Sequence, residues 1–226
     1  MEERLIIAID GPAASGKSTT AQRLAQKLGY VYLDTGAMYR ACALQAQRLG
    51  MDLNDAVAVA SLLENLDIRV ELSGLHNVIL LGGQDVSLAI RSNDISRLAS
   101  DISALPAVRH KMVELQRKMG ARGGVILDGR DIGTFVFPHA DLKFFLTASP
   151  EVRAHRRWLE LQKKGISATL PEVLEELLQR DKNDAGRALA PLAKAADAIE
   201  VDTSNMTVDD QVETLYAFIR AKMEGI

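Results

Sequence analysis

Gly11-Pro12-Ala13-Ala14-Ser15-Gly16-Lys17-Ser18 is the stretch whose reading decides the architecture. It fits G-x-x-x-x-G-K-S, in which glycines let the backbone curl until successive N–H groups point into one anion-sized hollow. The flanks supply the context this motif requires. Leu5-Ile6-Ile7-Ala8-Ile9 is a continuous apolar run, which predicts a strand buried on both faces. Residues 17–28 predict a helix with Leu24 and Leu28 on one face and Gly29 as its stop. The positive end of that helix adds to the anion hollow. Lys17 is then in reach of the β- and γ-phosphates of a nucleoside triphosphate, and the Ser18 hydroxyl is placed to ligate Mg²⁺. The motif identifies a donor and leaves the reaction open, because many reactions use the same cradle.

Outward from this loop the chain alternates strands and helices. Residues 30–33 predict a second short strand, followed by an Ala-rich helix through Leu49. After an interruption, 125–127, 142–146 and 198–201 read as strands, with helices over 150–164, 170–183 and 208–223. Such alternation implies a parallel sheet covered on both faces. The interruption, roughly 52–86, reads as a helix over 52–66 and a hairpin of 68–72 with 78–81. Ser73, Gly74, His76 and Asn77 supply turn chemistry there, and a third short strand covers 84–86. Helices over 93–103 and 106–119 complete this middle region, the second with proline in its first turn.

With 226 residues, 47% of them hydrophobic, the chain is long enough for one large domain or a core with an inserted subdomain. The net charge of −3 leaves no basic surplus to neutralise many phosphates, which argues against a nucleic-acid partner. Cys42 is the only cysteine, so no disulfide forms within the chain and no cysteine-based metal site exists. The apolar run at 5–9 stops at Asp10-Gly11-Pro12, too short for a signal peptide or membrane span. The cytoplasm is the expected compartment.

Two further features narrow the chemistry. The strand at 125–127 runs into Asp128-Gly129-Arg130-Asp131, which sets Asp128 where a carboxylate can hold Mg²⁺ through its waters. No D-x-x-G or N-K-x-D segment occurs, which argues against a GTP-dependent switch. Arg153, Arg156 and Arg157 stand at i, i+3 and i+4 and share a helix face. In isolation that is a solvated face; behind a phosphate-binding loop it reads as a lid stabilising charge on a transferring phosphoryl group. His76, His110, His139 and His155 lack paired metal-ligand spacing, and Trp158 reads as a packing residue.

Several blocks together resemble the bacterial cytidylate kinases of the nucleoside monophosphate kinase group. They are residues 9–18; Leu33-Asp34-Thr35-Gly36-Ala37-Met38-Tyr39-Arg40; Asp128-Gly129-Arg130-Asp131-Ile132-Gly133-Thr134 with Val136-Phe137-Pro138; Ala154-His155-Arg156-Arg157; and Arg187-Ala188-Leu189-Ala190-Pro191-Leu192. The resemblance implies a three-layer P-loop fold with a five-stranded parallel sheet, an inserted acceptor-binding subdomain and a short helical lid. It implies one kinase domain over 1–226, with the acceptor subdomain at about 35–110 and the lid at about 153–168. ATP would be held by Gly11, Pro12, Ala13, Ala14, Ser15, Gly16, Lys17, Ser18 and Thr19, with Mg²⁺ on Ser18. Thr35, Arg40, Arg130 and Arg187 would hold the acceptor phosphate of CMP or dCMP. Ser100, Arg109 and Asp131 would read cytosine, and Asp184 would bind the ribose hydroxyls. Lys17, Arg130, Arg156 and Arg157 would stabilise the transferring group, in a chain working as a monomer.

The cytosine assignment makes chemical sense on its own. Cytosine presents an amino donor at C4 beside acceptors at N3 and O2, which a carboxylate and a guanidinium match. Uracil puts a carbonyl at C4 against the Asp131 carboxylate, a mismatch of about 1–3 kcal/mol when buried. Kinases of the same architecture acting on uridylate, shikimate or dephospho-coenzyme A remain the neighbouring readings. An NTP-binding regulatory protein is the reading from another class.

Overall fold

The structure is a computed structural model that describes residues 4–73 and 76–225. The chain divides into two compact units, Met1–Tyr30 with Gly123–Ile226, and Val31–Arg122.

In the first unit, β1 (Ile6–Asp10) leads through the glycine loop into α1 (Lys17–Leu28). It pairs in parallel with β6 (Val125–Asp128) on one side, Ile7 opposite Ile126, and with β7 (Leu142–Thr147) on the other, Ile7 opposite Leu142. β8 (Ile199–Asp202) extends the sheet beyond β7, again in parallel. With β2 (Val31–Asp34) the order is β2-β6-β1-β7-β8. Because neighbours lie on both faces, Ile7, Ala8 and Ile9 are fully buried, which is why β1 is apolar without alternation. The order turns at β1, and sheets of this kind bind ligands outside the carboxyl ends of their strands at such a point.

Helices α6 (Pro150–Lys163) and α7 (Leu170–Ala185) pack together through Leu161, Val173 and Leu177, with Ala13 of the glycine loop in the same cluster. Trp158 lies against that cluster and donates its indole N–H to the Ala168 carbonyl at 3.0 Å, the packing role expected of it. The final helix α8 (Val208–Glu224) packs on α1. The loop after β6 contains a turn the sequence does not announce, a single π-type turn over Ile132–Val136.

In the second unit, α2 (Thr35–Arg48) is capped by Asp34, whose side chain accepts the Ala37 N–H at 2.8 Å. α3 (Ala56–Glu64) begins later than the predicted 52–66. Asp52 folds onto Asn54, and Asp55 takes the Val57 and Ala58 N–H groups, so the cap sits at Asp55. β3 (Ile68–Ser73) and β4 (His76–Leu81) form the expected antiparallel hairpin, with β5 (Gln84–Asp85) against β4. Ser73 and His76 prove to be the last paired strand residues, and Gly74 lies outside the described residues. α4 (Asn93–Ile102) and α5 (Pro106–Gly120) follow a short 3₁₀ turn at Ala89–Arg91.

Cys42 is fully buried in α2, and burial pushes its thiol up to about 12. Since the thiolate is the reactive form, the native chain should leave a disulfide-exchange reagent unreacted at pH 8 and consume one equivalent on unfolding. A colorimetric thiol titration with and without denaturant checks this. Among the described residues, no helix is long and apolar enough to cross a membrane.

Candidate active site

The glycine loop is held open by backbone conformations and close contacts. Gly11 has φ +143°, and a Cβ there would lie 2.0 Å from the Leu146 carbonyl oxygen of β7. Gly16 has φ +92°, and its Cβ would come within 2.5 Å of Gln211 Oε1 on α8. A side chain at Gly11 would displace the β7 backbone, and at Gly16 the positive φ is strained for any L side chain, which would also have to move the Gln211 side chain. No side chain caps α1, so its opening N–H groups and its positive end face the hollow.

Lys17 donates to the Pro12 carbonyl at 2.6 Å and to Ser15 Oγ at 3.3 Å. Burial, reinforced by the charge of Arg130, pushes its ammonium down to about 7, against the opposing pull of Asp128 and Asp10. Ser18 Oγ donates to Asp128 Oδ2 at 2.6 Å, joining the P-loop hydroxyl to the end of β6. Two hard oxygens side by side suit Mg²⁺, which keeps several waters and substrate phosphates as its remaining ligands. Among the described residues, no group of three or more His, Cys, Asp or Glu forms a metal cage.

Beyond β6, Arg130 donates through Nε to Asp184 Oδ2 at 2.7 Å, and Arg187 pairs with Oδ1 of the same carboxylate. Asp184 is 2% exposed. Burial works to raise its carboxyl, but the charges of Arg130 and Arg187 outweigh that and hold it below the ordinary carboxylate range. Two guanidiniums are thereby fixed on one anion, although each carboxylate oxygen keeps a second lone pair. Asp131 is buried at the start of the π-type turn. The guanidinium of Arg180, on α7, acts on both Lys17 and Asp184, a contribution that no motif in the sequence signals.

The three arginines of α6 do not act as one face. Arg153 is buried and donates to the carbonyls of Ala148 and Ala13, and its NH1 lies 2.5 Å from Asp181 Oδ2. Asp181 Oδ1 accepts the Ala13 N–H at 3.4 Å, so this pair grips both backbone polar groups of one P-loop residue. Arg153 therefore departs from the lid reading: the helix turns it inward onto the loop, where a buried cation must be paired. Arg156 reaches Thr203 through two bonds, at 3.1 and 2.6 Å, and Thr203 Oγ1 in turn donates to the Ser15 carbonyl at 2.9 Å. Arg157 turns toward Glu160 at 3.1 Å on the more exposed side.

In the second unit, Thr35 is buried at the first turn of α2, and Arg40 one turn later donates to Asp34 Oδ2 at 2.9 Å. Arg40 Nε is buried with no hydrogen-bond partner among the described residues. Arg109, fully buried on α5, donates to the Ser103 carbonyl at 3.2 Å, and Ser103 Oγ donates to the Ser100 carbonyl at 2.8 Å. Tyr39 of α2 places its ring 5.7 Å from the Arg109 guanidinium. Arg109 is thus held between the Ser103 carbonyl and the Tyr39 ring, partners that sequence spacing alone does not single out, and Ser100 is linked to it through its backbone carbonyl by way of Ser103.

Comparison with known proteins agrees with this geometry. Solved structures of a shikimate kinase from Bacteroides thetaiotaomicron and a gluconokinase from Sinorhizobium meliloti share the fold, each with a TM-score of 0.50. Their identities are 13% and 15%, over 96% and 99% of this chain and 99% and 97% of theirs. A protein named cytidylate kinase from Citrifermentans bemidjiense is 47% identical over 98% of this chain and 95% of its own. Another from Anoxybacillus flavithermus is 45% identical over the full length of both. The family model described as cytidylate kinase matches residues 7–221. The chain belongs to the cytidylate kinase family.

Proposed function

We infer that this chain transfers the γ-phosphate of ATP to CMP, giving ADP and CDP. The observation that carries this reading is the family match over nearly the whole chain, on a P-loop whose Lys17, Ser18 and Asp128 are arranged for a triphosphate. The same reading takes dCMP as a second acceptor, the cytoplasm as compartment and a monomer as the working unit.

The attacking atom is a phosphate oxygen of the monophosphate, already ionised near neutral pH, so the reaction needs no general base. It forms a bond to the γ-phosphorus in line with the bridging oxygen, which leaves with its electron pair on ADP. Ser18 and, through water, Asp128 would hold Mg²⁺, which would supply charge neutralisation on the triphosphate. Lys17 and the loop from Gly11 to Thr19 hold the donor, chiefly through backbone N–H groups other than those of Pro12, which has none, and Ala13, which bonds Asp181. Thr35, Arg40, Arg130 and Arg187 hold the acceptor phosphate, which fits the buried, unsatisfied Nε of Arg40 and the pairing of Arg130 with Arg187 on Asp184. Asp184 serves the ribose hydroxyls through its second lone pairs. Arg156 and Arg157 stabilise the transferring group once closure excludes water, which would otherwise hydrolyse the donor.

Ser100, Arg109 and Asp131 read the cytosine edge. Asp131→Ala should therefore leave turnover with saturating CMP within about threefold, while the CMP-over-UMP ratio of kcat/KM falls about tenfold or more. Chromatography of ATP, Mg²⁺ and each monophosphate tests both levels. Production of ADP and CDP from the wild type supports the activity, and inorganic phosphate without CDP would make the chain an NTPase. A panel that also offers uridylate and shikimate separates the neighbouring kinases.

A further inference from the structure

Asp10, the last residue of β1, is a buried acid that the transfer scheme leaves unused. Both its oxygens are engaged by consecutive backbone groups: Oδ1 accepts the Ile132 N–H at 2.8 Å and Oδ2 the Gly133 N–H at 2.7 Å. Those N–H groups open the π-type turn over Ile132–Val136, which closes when Val136 donates to the Asp131 carbonyl and Phe137 to the Ile132 carbonyl, at 3.1 and 2.7 Å. The first N–H groups of any helical turn lack partners within it, and the residue before the turn ordinarily supplies a capping side chain. That residue is Asp131, a good capper by type, yet its side chain makes no cap hydrogen bond. The task falls to Asp10, 122 residues earlier.

A carboxylate folded back onto its own turn cannot also reach outward to an amino group. Capping from the neighbouring strand makes the second use geometrically available while the backbone of Asp131 stays pinned on both sides. Its carbonyl accepts from Phe135 and Val136, and the next two N–H groups are held by Asp10. We propose that Asp10 is a positioning residue for acceptor selection: by capping the Ile132–Val136 turn from β1, it holds the Asp131 carboxylate at the cytosine edge of the acceptor. The proposal rests on the reading of Asp131 as the cytosine reader. Structural economy does not explain the acid, since burial pushes its carboxyl up to about 7 despite both N–H bonds, and a buried anion of this kind lowers stability.

Asp10→Asn is the test, because it keeps shape while turning an NH₂ group against a backbone N–H. KM for CMP should rise about tenfold, and the CMP-over-UMP ratio of kcat/KM should fall about tenfold. KM for ATP should stay within about twofold, a split that general loosening of the fold would not produce. The Ile132 and Gly133 amide protons should move upfield in the NMR spectrum of the variant as their bonds to a carboxylate are lost. In an Asp131→Ala background, Asp10→Asn should cause no further loss of discrimination. A folded Asp10→Asn enzyme with wild-type discrimination, or an equal loss in both backgrounds, overturns the proposal. Unchanged discrimination in Asp131→Ala alone overturns instead the cytosine-reader assignment beneath it. If Asp10→Asn fails to fold, Gly133→Ala carries the test. Its Cβ would sit 3.1 Å from Lys143 Cδ and 3.3 Å from Cγ, closer than ordinary contact, so the Gly133 backbone must yield against the buried lysine stem and its bond to Asp10 loosens. A smaller shift in the same direction supports the proposal, and none overturns it.

Discussion

Lys17→Ala should reduce kcat for CDP formation by about 10³-fold, the usual scale for losing one preorganised cation at a phosphoryl or oxyanion site. The side chain is buried and held within its own loop, by the Pro12 carbonyl and Ser15 Oγ. A triphosphate exchanges these neutral acceptors for anionic ones and favours the ammonium form, because added negative charge raises a lysine's proton affinity. KM for ATP should rise, whereas KM for CMP should move by no more than about twofold. The remaining cradle is made of backbone N–H groups, so circular dichroism should report an intact fold. A rapid-quench measurement of CDP in a single turnover checks the loss at the chemical step and separates it from product release.

Asp184→Ala should cost both stability and activity. Its carboxylate is the shared partner of Arg130 and Arg187, and removing it leaves two cations together in a buried place. Breaking buried pairs of this kind costs about 3–5 kcal/mol, which for a chain of this size lowers Tm by about 10 °C. The pH dependence follows from the direction of the shift. Asp184 binds its proton more weakly in the folded chain than its ordinary value of 3.8, so its contribution is fully present above that value. It is lost as pH falls through the lower folded value. The Tm difference between wild type and variant should therefore be constant from pH 7 to about 5 and shrink below about 4. A difference that grew on acidification would contradict the ion-pair account. The kcat/KM for CMP should fall by at least about 10²-fold, since both arginines lose their fixed positions.

Local sequence carried the parts of this structure that local physics determines. The apolar run before Gly11, the helix from Lys17 to Leu28 and the hairpin over 68–81 each follow from periodicity and turn chemistry within a few residues. Ser18, in the first turn of α1, and Asp128, at the end of β6, have separate Mg²⁺ roles in the sequence reading, and their direct hydrogen bond agrees with both standing at one place. What was not legible depends on partners far away in the chain. Nothing near Asp10 announces that it caps a turn beginning at Ile132, and nothing near Ile132 announces a π-type turn. The arginines of α6 show the same limit. Spacing correctly puts Arg153, Arg156 and Arg157 within one turn of each other, but only the neighbours of that helix decide that Arg153 faces inward onto Ala13 and Asp181 while Arg157 meets Glu160. Tyr39 and Ser103 likewise acquire meaning only when α2, α4 and α5 bring them to Arg109.

The tight approach of Gln211 to Gly16 has a consequence for how the protein matures. Gln211 also accepts from Thr20 Oγ1 at 2.8 Å across a separation of 191 residues, so the donor cradle is braced by a helix that the ribosome makes long after it. A nascent chain can complete β1 and α1 early, yet the strained bend between them gains its brace only when α8 docks, a contact of the slow, long-range kind. A firm grip on ATP therefore waits for the docking of a helix far downstream of the loop that provides it.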